Sequence, residues 1–144
     1  MKSFSELQDI NRTLPVRIRL DAYYQVQAPQ IELTINKHTW DVKVDTIITR
    51  EIEVDLLDPI LIQVKLKDKD YTKDSTTAII VRQLSIDKQE LLPNYVHLTK
   101  YSNDHNMQIT TEYLGYNGTW TFDIKEPFYR WLHEVTGQGW LLYP

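Results

Sequence analysis

The chain of 144 residues contains no cysteine, only four glycines and fewer basic than acidic side chains. Without cysteine there are no disulfides, no thiolate metal ligands and no thiol nucleophile. Four glycines leave little room for a glycine-rich loop that binds phosphate. The formal net charge of −4 provides no basic surface for a nucleic-acid backbone. We therefore expect no nucleic-acid partner.

Long apolar runs are also missing. No stretch approaches the roughly 20 apolar residues that span a bilayer. The start of the chain, Met1-Lys2-Ser3-Phe4-Ser5-Glu6, has no apolar run after its lysine and so does not resemble a signal peptide. We expect a protein without a transmembrane segment, a signal peptide or a membrane partner.

Patterns typical of catalysis are absent as well. The four histidines stand in unrelated local contexts, and no two have the spacing that places both imidazoles on one metal ion: His38, His97, His105 and His133. The chain has no Gly-x-Ser-x-Gly motif either. We therefore expect a protein that is not an enzyme and has no catalytic residues.

What the sequence has in abundance is β-branched side chains. Ile and Thr occur 14 times each and Val nine times, against three Ala. Such side chains fit a pleated sheet better than a helix. Apolar and polar residues alternate almost without interruption over residues 31–67, which is typical of strands with one buried face. The denser run at 78–86 favours a central strand.

These patterns predict an all-β fold, an antiparallel β-sandwich of jelly-roll type, as a single domain over residues 1–144. Two loops are predicted within it: a four-residue hairpin loop at 36–39, and a type I′ hairpin at Asn117-Gly118 with strands ending at Tyr116 and resuming at Thr119. Residues 1–14 are predicted to form an N-terminal arm or short helix. A short helix is predicted over 127–136, packed on the sandwich, because its apolar residues share one face. The apolar end, Trp140 to Pro144, is expected to dock.

An acidic loop follows the alternating strands. Asp68, Asp70 and Asp74 alternate with other residues between two predicted strands, and loop carboxylates can converge on a calcium ion. Three lysines interleave with them and neutralise the same charges: Lys67, Lys69 and Lys73. Two interpretations remain open, a solvated loop without a cofactor or a calcium site formed by the three aspartates.

Aromatic residues are numerous, with four Trp, nine Tyr and three Phe, and they crowd the last third of the chain. Phe128, Trp131 and Trp140 are expected to lie in the core. Trp40, Tyr116 and Trp120 are the candidate ligand-binding residues, because exposed rings stack on sugars or anchor a protein partner.

Several short segments resemble small proteins of unassigned role in the large tailed bacteriophages of marine cyanobacteria. They are Ser85-Ile86-Asp87, Leu92-Pro93-Asn94, Tyr116-Asn117-Gly118-Thr119-Trp120, Glu126-Pro127-Phe128-Tyr129-Arg130-Trp131 and Gly137-Gln138-Gly139-Trp140. The resemblance implies a protein of the virion, made in the host cytoplasm, and it assigns no catalytic residue.

A second set of segments is similar to calcium-dependent xylan-binding modules, which are small β-sandwiches. It consists of a strand that ends in Ile35-Asn36, the Asp-bearing loop, and a strand from Ile79-Ile80-Val81 to Ile86-Asp87. This resemblance implies loops that contact a sugar.

Two hypotheses for function follow. The first is a structural or accessory protein of a phage particle, in the tail, baseplate, fibre or capsid surface, which docks on other virion proteins and on copies of itself as a homo-oligomer. The alternative is a carbohydrate-binding module for glycans of the host surface, with or without calcium.

Overall fold

The alternating segments form eleven strands within residues 12–136, the part of the chain that the computed structural model describes. In chain order they are β1 (Thr13–Tyr23), β2 (Gln30–Ile35), β3 (His38–Lys43), β4 (Ile48–Asp55), β5 (Ile60–Lys67), β6 (Ala78–Ile86), β7 (Gln89–Glu90), β8 (Lys100–Asn103), β9 (Gln108–Ile109), β10 (Tyr113–Leu114) and β11 (Gly118–Ile124). A 3₁₀ turn at Val96–Leu98 precedes β8, and helix α1 (Phe128–Thr136) follows β11.

The strands pair into two antiparallel sheets. One sheet has the order β10-β6-β1-β4, with β7 also paired to β6, and the other has the order β3-β2-β5-β11-β8-β9. The predicted all-β fold, an antiparallel β-sandwich with a short C-terminal helix, is confirmed. Strand β6 lies inside its sheet between β1 and β10, as its dense apolar run predicts.

The core lies between the two sheets. Strand β5 shows the pattern, since Ile60, Ile62, Val64 and Leu66 are all buried while the residues between them are half-buried or exposed. One buried row crosses the larger sheet at Val64, which pairs with Leu33 on one side and Trp120 on the other. Burial of such aliphatic side chains stabilises the fold by about 1.5–3 kcal/mol each.

Helix α1 closes one end of the core. It begins one residue after the predicted start at 127. Phe128 and Trp131 are buried, and the Trp131 ring meets the Phe122 ring edge-on at 5.8 Å. Leu132 packs against the core as the helical pattern predicts, whereas Val135 is 37% exposed.

The start of the described chain is tied to this helix. Arg12 Nη2 donates to Asp87 Oδ2 at 2.7 Å, and the Tyr129 hydroxyl donates to the same oxygen. Thr13 and Leu14, predicted to belong to the N-terminal arm, are instead the first residues of β1. The remainder of the predicted arm, residues 1–11, and the end that includes Trp140 lie outside the described residues.

Two predicted turns differ from the structure. The loop between β2 and β3 has only two residues, since Ile35 pairs with His38 and Asn36 takes a φ of 52°. At Asn117-Gly118 there is no hairpin, because β10 pairs with β6 in one sheet while β11 pairs with β5 and β8 in the other. The Asn-Gly pair therefore marks a crossing between the two sheets.

No helix within residues 12–136 has the length and apolar character that a bilayer crossing needs.

Gly118 is needed for close packing at that crossing. A Cβ built at Gly118 would lie 2.3 Å from the carbonyl oxygen of Ser102 and 2.6 Å from the Cα of Asn103, both on the paired strand β8. Backbone atoms cannot move aside as a side chain can. We predict that Gly118→Ala lowers the free energy of unfolding by about 1–3 kcal/mol, measured by urea denaturation.

Gly115→Ala is the matched control. A Cβ at Gly115 would approach the Tyr113 ring at 3.0 Å, and this ring is 48% exposed and can shift. We expect a change within about 0.5 kcal/mol. Equal losses for the two variants would contradict the packing argument.

Candidate functional site

Five loops meet at one end of the sandwich, which we call the loop end: residues 24–29, 44–47, 68–77, 104–107 and 115–117. The strand register places them together. Gln30 pairs with Lys67, and Gly118 pairs with both Leu66 and Asn103. On the other sheet Tyr23 pairs with Ala78. Loops are where binding residues concentrate when a rigid scaffold positions them.

Asp74 joins two of these loops. Its Oδ2 accepts the backbone N–H groups of Gln25, Val26 and Gln27 at 2.8, 2.6 and 2.9 Å. Its Oδ1 accepts the hydroxyl and the N–H of Thr76 at 2.5 and 2.9 Å. The Thr76 hydroxyl, followed by the backbone donors, holds the pKa of Asp74 far below its ordinary value, against the opposing effect of burial. The buried carboxylate thus serves as a structural acceptor.

Asp70 and Asp68 have different surroundings. Asp70 Oδ1 accepts the hydroxyl and the N–H of Thr72 at 2.6 and 3.0 Å, and these bonds lower the pKa of Asp70. Asp68 is exposed with a φ of 60°, and its carbonyl oxygen accepts the side-chain amide of Gln27.

The acidic loop does not fit a calcium ion. Calcium takes six to eight oxygen ligands, but five N–H and O–H donors already occupy both oxygens of Asp74. Across residues 12–136 there is no group of three or more His, Asp or Glu side chains that could hold a metal ion. The predicted convergence of Asp68, Asp70 and Asp74 is therefore not present in this geometry.

Asn117 bridges the acidic loop to the crossing between the sheets. Its side-chain oxygen accepts the backbone N–H of Lys69 at 2.9 Å, and its amide nitrogen donates to the Lys69 carbonyl at 3.0 Å. Its own backbone N–H donates to the Tyr71 hydroxyl at 2.9 Å. Two loops from distant parts of the sequence are thereby fixed side by side.

An aromatic cluster of Tyr71, His105 and Tyr116 lies on these bridged loops. The rings of His105 and Tyr116 lie 3.9 Å apart between centroids, and Tyr71 meets the His105 ring edge-on at 5.3 Å. Tyr71 and Tyr116 are half-buried, and His105 is exposed. The cluster is therefore an aromatic surface that solvent reaches.

Asp104 orients the cluster. The Tyr71 hydroxyl donates to both Asp104 carboxylate oxygens at 2.7 and 2.8 Å, and His105 Nδ1 lies 2.7 Å from Oδ1. Burial, and next the bond to Asp104, raise the pKa of Tyr71. The Tyr71 ring is consequently held in place by its hydroxyl.

The structure places the three predicted ligand-binding residues apart. Tyr116 belongs to the aromatic cluster at the loop end. Trp120 is fully buried, its indole N–H donates to the Thr111 carbonyl at 2.7 Å, and it has no exposed face for a ligand. Trp40 is half-buried on the edge strand β3 and stacks on His38 at 6.3 Å. Strands β2 and β5 separate Trp40 from Trp120.

Sequence reasoning missed Tyr71, Asp104 and His105. One pattern in the sequence could have indicated Tyr71, since it is the one aromatic residue of the acidic loop from Lys67 to Asp74. Nothing in the sequence indicates that the loop at 104–107 lies beside it.

A different concavity, of about 640 Å³, lies on the outer face of the larger sheet. It is open and lined by Gln63, Leu98, Lys100, Ser102, Thr119, Thr121, Asp123 and Lys125. None of these side chains is aromatic, so the concavity offers no ring for stacking. A ligand there would rely mainly on hydrogen bonds, for which water competes. Aromatic and polar groups converge instead at the loop end.

The Asp74 contacts predict a specific pH dependence. Because the folded protein lowers the pKa of Asp74, its carboxylate contributes stability above the unfolded value of about 3.9, and that stability is lost as the pH falls below it. Asp74→Asn keeps one acceptor oxygen but presents an amide to N–H donors. We predict a lower urea midpoint for the variant at pH 7 and a shallower loss of stability between about pH 5 and 3.

Asp68→Asn is the matched control, since Asp68 is exposed in the same loop. We expect it to keep both the midpoint and the pH slope of the unmodified protein. An Asp74→Asn variant with an unchanged pH slope would show that another group controls the acid stability.

Comparisons with known proteins point to one fold. No protein-family model matches the sequence. No curated protein matches it either. Solved structures of similar fold include the carbohydrate-binding module vCBM60, described in connection with two families of calcium-dependent carbohydrate-binding modules. It is 13% identical with a TM-score of 0.51 over 77% of this chain and 91% of that one.

A second structure, vCBM60 in complex with galactobiose, is 15% identical with a TM-score of 0.49 over 76% of this chain and 97% of that one. At such identities the first likeness shows a shared β-sandwich fold. The resemblance to calcium-dependent binding modules is thus confirmed at the level of fold, and none of these similarities supports the resemblance to phage proteins.

Proposed function

We propose that this protein is a carbohydrate-binding module whose ligand surface is the loop end. The observation that carries the proposal is the aromatic cluster of Tyr71, His105 and Tyr116, which solvent reaches and which polar side chains adjoin. The shared fold with a carbohydrate-binding module supports it.

The chemistry of a sugar matches this surface. A pyranose ring has an apolar face of C–H groups and a rim of hydroxyls. An aromatic ring packs against the apolar face, while a few placed polar groups orient the hydroxyls. Asp104 and His105 are exposed beside the rings. A carboxylate has about four acceptor positions, so Asp104 can accept a hydroxyl besides its existing partners.

The loop end is also preorganised. Asp104 holds the Tyr71 hydroxyl, and Asn117 is bonded to the backbone of Lys69. Side chains that are already ordered lose little freedom when a ligand binds, which leaves more of the contact energy as affinity.

Binding assays on Tyr116→Ala test the proposal. We expect the unmodified protein to be retarded in affinity electrophoresis through soluble xylan, or to bind galactobiose in titration calorimetry. Removing the Tyr116 ring should weaken that binding at least about tenfold, which is ~1.4 kcal/mol, because this ring packs against His105 in the cluster that the ligand is proposed to contact.

Leu57→Ala is the control, because Leu57 is an exposed apolar residue, 59% accessible, in the β4–β5 loop at the opposite end of the sandwich. It should bind as the unmodified protein does. Absence of binding to a broad panel of polysaccharides, or an equal loss in both variants, would contradict the proposed site.

A second candidate function is docking onto another copy of the chain. Two loops that contact each other, through the Tyr24 hydroxyl and the Asp45 carbonyl at 3.1 Å, carry exposed apolar side chains. Val26 is 66% exposed and Ile47 is 48% exposed. Contiguous exposed apolar surface is typical of protein interfaces, and these two side chains stand on loops that touch each other. The structural role in a phage particle, with partners among other virion proteins, stays a prediction from the sequence.

Light scattering over a concentration series tests this candidate. If copies dock through these loops, the mass should rise with concentration, and the double variant Val26→Ser/Ile47→Ser should stay monomeric. Leu57→Ser, which changes a 59% exposed residue between β4 and β5, should associate as before. A protein that stays monomeric at all concentrations would contradict self-docking.

A further inference from the structure

Lys69 stands out at the loop end because it is a buried lysine. It is 7% exposed, although lysine is almost never buried without partners. Its Nζ donates to the carbonyl oxygens of Gly115 and Ser75 at 2.5 and 3.0 Å. The two acceptors belong to different loops, so one ammonium group links the acidic loop to the crossing between the sheets.

The same ammonium lies beside the aromatic cluster. Lys69 Nζ lies 5.1 Å from the centroid of the Tyr71 ring and 5.8 Å from the centroid of the Tyr116 ring. A cation within about 6 Å of a ring is attracted by the negative face of the π system. Two of the three proposed sugar-contacting rings therefore share one buried cation.

Charge compensation comes from two carboxylates. Burial lowers the pKa of Lys69, and the nearby charges of Asp74 and Asp104 oppose that shift. The buried Lys69 ammonium thus compensates the negative charges of Asp74 and Asp104. The arrangement of carbonyl oxygens and carboxylates around a fixed positive charge is what a bound metal ion would otherwise organise.

We propose that Lys69 is the internal cation of the loop end, so that the loops and the ligand surface they carry are organised without a metal ion. The inference rests on the proposed function only where it treats the loop end as a ligand surface and expects sugar binding there to be independent of calcium. It departs from the calcium dependence of the module whose fold the chain shares. Lys69 is a positioning residue, which acts through Tyr71 and Tyr116.

Thermal unfolding of the intact chain tests the proposal without any sugar. We expect the melting temperature to be the same within about 1 °C in millimolar Ca²⁺ and in EDTA. Lys69→Met, which keeps most of the side-chain volume but removes the charge, should lower the melting temperature by about 5 °C or more. Lys73→Met, at an exposed lysine of the same loop, should change it by about 1 °C or less.

A spectroscopic measurement separates a buried cation from a merely packed side chain. In ¹⁵N NMR at neutral pH, the Lys69 ammonium should give a slowly exchanging Nζ–H signal, because its protons are bound and shielded. The signal should persist in Lys73→Met and vanish in Lys69→Met. This measurement on the unmodified protein stands even if the Lys69 variant does not fold.

Failure of this proposal is distinguishable from failure of the proposed function. A melting temperature that Ca²⁺ raises by several degrees, or a neutral and rapidly exchanging Lys69, would overturn the internal cation whether or not a sugar binds. A protein that is indifferent to calcium, shows the protected ammonium and binds no polysaccharide would keep the internal cation and reject the carbohydrate-binding function.

Discussion

The architecture of the loop end depends on one constraint, that the buried side chains of Asp74 and Lys69 must find hydrogen-bond partners where the chain crosses from one sheet to the other. A buried polar group without a partner costs about 1–3 kcal/mol. The loop from β5 to β6 meets this constraint by bonding to its neighbours. Its Asp74 accepts three successive N–H groups of the β1–β2 loop, and its Lys69 backbone pairs with Asn117 of the β10–β11 loop. Three crossings are thereby held together.

Much of the sandwich could be predicted from the sequence, because a strand with one buried face has a period of two. The same rule would have placed Trp120 correctly, since Trp120, Phe122 and Ile124 alternate with Thr119, Thr121 and Asp123 and must share the inner face. Strand pairing is not readable in this way. Asn117-Gly118 has the composition of a hairpin turn, but Gly118 is there because β8 passes close to it.

The candidate site was only partly predictable, for a physical reason. In a loop the side chains follow no regular period, so the spacing of Asp68, Asp70 and Asp74 does not tell which carboxylates converge. The sequence shows lysines among aspartates and suggests neutralisation at the surface. The structure instead points Lys69 inward while Lys73 stays exposed. The inward orientation of Lys69 depends on contacts with Gly115 and Tyr116, which are more than 40 residues away along the chain.

The proposed role of Lys69 separates the shared fold from a shared metal requirement. The loops that cross between the sheets must be held together. Either a cation that binds several oxygens or a carboxylate that accepts several N–H groups can do so. Here Asp74 gathers N–H groups and the Lys69 ammonium gathers carbonyl oxygens. Once both oxygens of Asp74 are occupied by five donors, binding a metal ion there would require breaking those bonds. Side chains of the chain itself therefore hold the loops in the ordered arrangement that the proposed ligand surface needs.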